Sequence, residues 1–102
     1  MKIYVASPYS NGNKIANVRR SIVIGEELSA LGHTPFLPLL NHFWDKLFPH
    51  DEKFWLNYDI KWLEVCDALL RLDGESKGGD VEVAVAERLG LRVYYNLEDI
   101  NG

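Results

Sequence analysis

The apolar positions of this chain fall into short runs separated by longer amphipathic stretches. Residues 2–6 (KIYVA) make the first run, rich in β-branched and aromatic side chains and ended by Ser7-Pro8. That pattern predicts a short buried strand. Residues 7–13 (SPYSNGN) have the composition of a loop. Over 14–31, Ile15, Val18, Ile22, Leu28 and Leu31 follow helical spacing, and Gly32 stands where a helix would stop. Residues 34–40 (TPFLPLL) read as a second strand, limited by Pro35 and Pro38 to an edge or a short segment. A loop with a helical turn is expected over 41–50 (NHFWDKLFPH). Asp51 suits the N-cap of a helix reaching about residue 65. A strand over 68–72, a loop over 73–79, a helix over about 80–89 ended by Gly90 and a strand over 92–95 follow. Residues 97–102 give no readable signal.

Strands alternating with helices imply an α/β fold with a parallel sheet. The expected architecture is a flavodoxin-like or Rossmann-like three-layer sandwich with four to five parallel strands. Sheets of this kind carry their sites at the carboxyl ends of the strands. Those ends are the Ser7 loop, the stretch 41–44 and the loop 73–79. At 102 residues, the chain is expected to form one domain over 1–102. It would bury only about 60–65% of its unfolded surface, which favours further burial by self-association.

A net charge of -4 argues against binding a nucleic-acid polymer or an anionic membrane. A small phosphorylated ligand needs only a local cluster of donors and stays open. The opening apolar run is too short for a signal peptide or a membrane span, so a cytoplasmic location is expected. Cys66 is the single cysteine and cannot form an intramolecular disulfide.

Helical wheels expose two misplaced acids. In the last long helix Asp80, Glu87 and Arg88 share one side, and Glu82 sits opposite with Val85, Ala86 and Leu89. A carboxylate on an apolar face costs several kcal/mol unless paired or hydrogen-bonded. Placed in the first turn, Glu82 would be favoured in its ionised form by free N–H groups and the helix dipole. It reads as a nucleophile or, at even odds, as a capping or ion-pairing residue. In the 51–65 helix, Lys53, Asn57, Lys61 and Glu64 form the polar face. Asp59 lies opposite, between Trp55, Leu56, Trp62 and Leu63. Two acids at one pocket suit glycosidic chemistry, with one attacking C1′ and the other handling protons or sugar hydroxyls.

Fewer signals surround them. Ser76-Lys77-Gly78-Gly79 could cradle a phosphate at a helix N-terminus or be a plain turn. His33, His42 and His50 lack metal-ligand spacing, so no metal is expected. His42 follows a strand end and is the best of the three for substrate contact. Phe43, Trp44 and Trp55 are base-stacking candidates or core. Cys66 reads as a small buried hydrophobe and Asp67 as structural. Tyr4 is a core tyrosine or a hydroxyl reaching the pocket.

The segments Ile3-Tyr4-Val5-Ala6-Ser7-Pro8, Cys66-Asp67-Ala68-Leu69-Leu70-Arg71-Leu72 and Ser76-Lys77-Gly78-Gly79-Asp80-Val81-Glu82 together resemble the nucleoside 2-deoxyribosyltransferase-like superfamily. The short, phage- and bacterium-associated branch looks closest, related to the deoxynucleoside 5′-monophosphate N-glycosidases. The resemblance implies cleavage or exchange of an N-glycosidic bond by a retaining mechanism. Glu82 would be the nucleophile, Tyr4 would orient it, and Asp59 would contact the sugar or assist proton transfer. Ser76, Gly78 and Gly79 match the loop that holds a 5′-phosphate. Ser7, Tyr9 and Asn13, with His42, fall in segments that line the base and sugar pocket and that depart from the characterised enzymes. No cofactor is implied, the substrate is a nucleoside or nucleotide, and homo-oligomers with shared active sites are usual. A non-catalytic nucleotide-binding module and an NAD glycohydrolase are the alternative readings.

Overall fold

The strands β1 (Lys2–Ala6), β2 (Thr34–Phe36), β3 (Ala68–Arg71) and β4 (Arg92–Tyr94) pair in parallel, in the order β2-β1-β3-β4. This architecture comes from a computed structural model that describes residues 1–100. The last two residues of the unread stretch 97–102 lie outside the described residues. The described residues also hold four α-helices, α1 (Lys14–Ala30), α2 (Asn41–Leu47), α3 (Glu52–Leu63) and α4 (Lys77–Arg88), and two short 3-10 turns, Pro38–Leu40 and Leu97–Asp99. The expected three-layer α/β sandwich is present, with four strands.

Burial on both faces explains why β1 reads as an unbroken apolar run. Ile3 and Val5 point to one side and pack with Ala68, Leu70 and Leu28 of α1. Tyr4 and Ala6 point to the other and pack with Leu69, Leu63 of α3 and Ala86 of α4. Each of Ile3, Tyr4, Val5 and Ala6 is 0% exposed. The order of strands reverses between β1 and β3, and a crevice opens beyond their carboxyl ends at such a point.

α1 buries a different stripe from the one its apolar residues suggest. Val18, Ser21, Gly25 and Leu28 face inward, whereas Ile15, Ile22 and Leu31 are 57%, 43% and 43% exposed. Close approach decides this. A Cβ on Gly25 would lie 2.8 Å from Leu37 Cδ1, so the bare glycine lets the Leu37 side chain pack directly against α1. Gly32 and Gly90 stop α1 and α4 as expected, with φ of 89° and 77° that other residues rarely adopt.

Three boundaries differ from expectation, and all three bear on the site. β2 ends at Phe36 because Pro38 opens a 3-10 turn (Pro38–Leu40) that runs directly into α2. Most of the expected loop over 41–50 is therefore helical. Trp44 packs edge-on against Trp55 and Tyr58 of α3, and the Asp45 carboxylate accepts from Trp55 Nε1 at 2.7 Å and His50 N at 2.8 Å. α3 begins as read, with Asp51 accepting from Phe54 N at 2.8 Å. α4 starts three residues before the expected 80, since Ser76 caps it by accepting from Gly79 N at 3.0 Å. Gly78 and Gly79 thus belong to the first helical turn, and Glu82 moves into the second. Leu89, grouped with the buried face, is at the helix end and 45% exposed. Among the described residues no helix is long and apolar enough to cross a membrane.

Candidate active site

A cavity of about 930 Å³ opens at the carboxyl end of β1. Its walls are the segment after β1, α2, α3 and the first turns of α4. Glu82 and Asp59 both line it. The wheel placed both acids on apolar faces, and the tertiary fold brings the two faces to one space.

Glu82 is 8% exposed. Tyr4, 78 residues away in sequence, donates its hydroxyl to Glu82 Oε2. Burial pushes the Glu82 carboxyl up to about 7, against the Tyr4 hydrogen bond and the positive charge of Arg71, which both favour the carboxylate. The free N–H groups of a first turn do not help, because Glu82 lies beyond them. Asp59 is pushed up to about 8, by burial first and then by the charge of Glu82. Its Oδ1 is buried with no hydrogen-bond partner among the described residues. Tyr4 is raised well above its ordinary value by burial and by Glu82, and so stays a donor. Around neutral pH the pair therefore shares roughly one proton and titrates as a unit. One acid is then available as a nucleophile and the other as a proton donor.

Arg71 was missed on the sequence, where it looked like a strand residue. It ends β3 and is 8% exposed. Its guanidinium donates to the carbonyls of Leu72 and Gly74 and, at 3.3 Å, to Asp80 Oδ1. It thus ties the loop after β3 to the start of α4 and sets a positive charge behind Glu82. A basic residue closing an apolar strand was the only available signal. A Cβ on Gly79 would lie 2.8 Å from Arg71 Nε, whereas one on Gly78 meets nothing within 4 Å. Gly79→Ala is therefore expected to cost about 1–3 kcal/mol by overpacking, and Gly78→Ala to be neutral or stabilising through helix propensity. Thermal unfolding of the two variants checks this contrast.

Most of the other expected site residues also reach the cavity. Ser7, Tyr9, His42, Ser76, Gly78 and Gly79 line it. Tyr9 bonds through its hydroxyl to His42 Nδ1. Asn13 stands apart, with its side chain capping α1 by accepting from Ala16 N at 3.0 Å. Asn41 was not singled out, although it borders the cavity; its Nδ2 is buried and has no partner among the described residues. Asp67 is structural as read, accepting from Lys2 N at 2.8 Å. The Cys66 thiol is buried, and burial raises its pKa. Among the described residues no three His, Cys, Asp or Glu side chains gather to hold a metal.

Residues 1–96 match the model of a family described as a domain of unknown function, DUF7768. The chain belongs to the DUF7768 family. No curated protein matches it by sequence. Among solved structures, a 2-deoxyribosyltransferase from the psychrotolerant bacterium Bacillus psychrosaccharolyticus is similar, at 25% identity and a TM-score of 0.63. The alignment covers 91% of the DUF7768 chain and 69% of that enzyme. The Rossmann-like α/β sandwich of this DUF7768 chain is thus the fold it shares with that enzyme.

Proposed function

We propose that this chain cleaves or exchanges the N-glycosidic bond of a (deoxy)nucleoside or its 5′-monophosphate, through a covalent intermediate on Glu82. The observation that carries the reading is the buried Tyr4–Glu82 hydrogen bond, with Glu82 and Asp59 both lining a cavity large enough for a nucleotide. The likeness to a 2-deoxyribosyltransferase supports the same chemistry.

In the first step a Glu82 carboxylate oxygen attacks C1′ while the C1′–N bond breaks. The bonding pair leaves with the base, and protonated Asp59 gives up its proton to neutralise that charge, directly or through water. In the second step water or an acceptor base attacks C1′ from the side opposite Glu82, gives its proton to the Asp59 carboxylate left by the first step, and releases the Glu82 carboxylate. Two inversions give net retention. The Tyr4 hydroxyl orients Glu82 and stabilises its charge. The N-terminal turn of α4, with Ser76, open Gly78 and Lys77 at the cavity, offers a 5′-phosphate N–H groups and a favourable dipole. Self-association, with a partner completing the cavity, belongs to the same reading. Phe43, Leu47 and Phe48, beside the cavity, are 59%, 77% and 67% exposed. A single cytoplasmic domain completes it.

A panel of nucleosides, nucleotides and NAD, with and without acceptor base and read by chromatography, tests this. Free base is the expected product. Its rate should rise as Glu82 loses its proton through about pH 7 and fall as Asp59 loses its own through about pH 8. Nicotinamide from NAD alone would point to the glycohydrolase. Binding without release of base from any substrate would leave a nucleotide-binding module and end the enzyme reading.

A further inference from the structure

The outer side of α1 carries apolar residues that neither the core nor the cavity uses. Ile15, Ile22 and Val23 are 57%, 43% and 49% exposed, while Val18, Ser21, Gly25 and Leu28 face inward. On a wheel Ile15, Arg19, Ile22, Val23, Glu26 and Ala30 fall within an arc of about 100°, on the side away from those four. All six are exposed. The two charges stand among the apolar residues, Arg19 between Ile15 and Val23 and Glu26 between Ile22 and Ala30, each four positions away. Neither enters an ion pair among the described residues. They lie about 10 Å apart along the axis, too far for the contacts that neighbours one turn apart make.

The stripe is complementary to itself. In a second copy of α1 laid antiparallel, with the twofold axis between Ile22 and Val23, residue order alone fixes what meets what. Ile22 faces the partner's Val23, Arg19 faces the partner's Glu26, and Ile15 faces the partner's Ala30. Each contact occurs twice, as an isologous interface requires. A parallel pairing would instead set Arg19 on Arg19 and Glu26 on Glu26. We propose that α1 is a self-association surface, on which two copies of this chain pair antiparallel through Ile22 and Val23 and match Arg19 with Glu26. The order of the charges names the occupant, because a second copy supplies both opposite charges at the right spacing. A stripe about 25 Å long and one helix wide buries less than the roughly 1,200 Å² of a standard interface, so the pairing is reversible. α1 covers the Ile3 and Val5 side of the sheet, and α3 and α4 cover the other. The surface is therefore separate from the Phe43, Leu47 and Phe48 face, and it does not depend on the N-glycosidic reading.

Sedimentation velocity of the full chain, from about 10 μM to about 1 mM, reads the association. Arg19→Glu and Glu26→Arg should each weaken it about tenfold or more, since every dimer then holds two like-charge contacts in place of two opposite ones. Mixed in equal amounts, the two variants should associate as the unaltered chain does, because a dimer of one with the other restores both opposite contacts. The double variant R19E/E26R should do so by itself. Ile22→Lys should dissociate the unaltered chain and the double variant alike. Far-UV circular dichroism shows that each variant keeps its helices, as substitutions at exposed positions should. No association at the highest concentration overturns the inference. So does an oligomer of the same size in the unaltered chain and both single variants, which would belong to another face. Single variants that do not recover on mixing overturn it as well, since the loss would then not come from matched charges.

Discussion

Replacing Glu82 by glutamine is expected to abolish base release, lowering the rate by about 10⁴-fold or more, the scale seen when a covalent nucleophile is removed. Glutamine keeps the length and shape of the side chain, and its amide oxygen can still accept from the Tyr4 hydroxyl that now bonds Oε2. The fold should therefore survive and substrate binding persist. What is lost is the anionic oxygen that attacks C1′. Rapid-quench chromatography with the best substrate of the panel measures the loss, and calorimetry with the same ligand shows that the site is intact. Glu82→Gln within tenfold of wild type would remove Glu82 as nucleophile.

Asp59→Asn is expected to lower activity by about 10²–10³-fold and at the same time to stabilise the protein at alkaline pH. The sign follows from where the proton sits. Folded Asp59 is raised to about 8, against about 4 in the unfolded chain, so the folded state holds the extra proton across that window. The stability this provides is fully present below about pH 4 and is lost as pH rises through about 8. Asparagine carries no charge at either end. Its stability should exceed that of wild type by about 1–3 kcal/mol at pH 8.5, roughly 5–15 °C in Tm, and by little at pH 5. Scanning calorimetry at the two pH values reads the difference. An equal Tm gain at both would mean that Asp59 does not carry a buried, titrating proton.

The fold was largely legible because its cues are local. β1, β3, β4 and α1 fall within a residue or two of the spans that periodicity and glycine stops predict. The misses have separate causes. Ser76, four residues ahead of the expected helix start, caps α4 by accepting from Gly79 N, and the loop composition of DGESKGG hides that choice. The stretch 41–47 is helical because Pro38 starts a turn and Trp44 finds Trp55 and Tyr58 on another helix. Ile15, Ile22 and Leu31 lie outside because Gly25 gives α1 its close approach.

The site divides in the same way. A helical wheel needs only the 3.6-residue period, so the sequence by itself determined that Glu82 and Asp59 stand on the apolar sides of their helices. It also pointed to the loops after the strands as the end of the sheet where these acids would lie. Only the tertiary structure decided that the two acids share one cavity, that Tyr4 reaches Glu82, and that Arg71 lies behind it. Those contacts join residues far apart along the chain, and no local period encodes them. The raised acidities are likewise tertiary, since desolvation and charge depend on what surrounds a group in space. The unmet donor of Asn41 and the Tyr9–His42 bond belong with them, because a side chain is without a partner only after every neighbour has been placed.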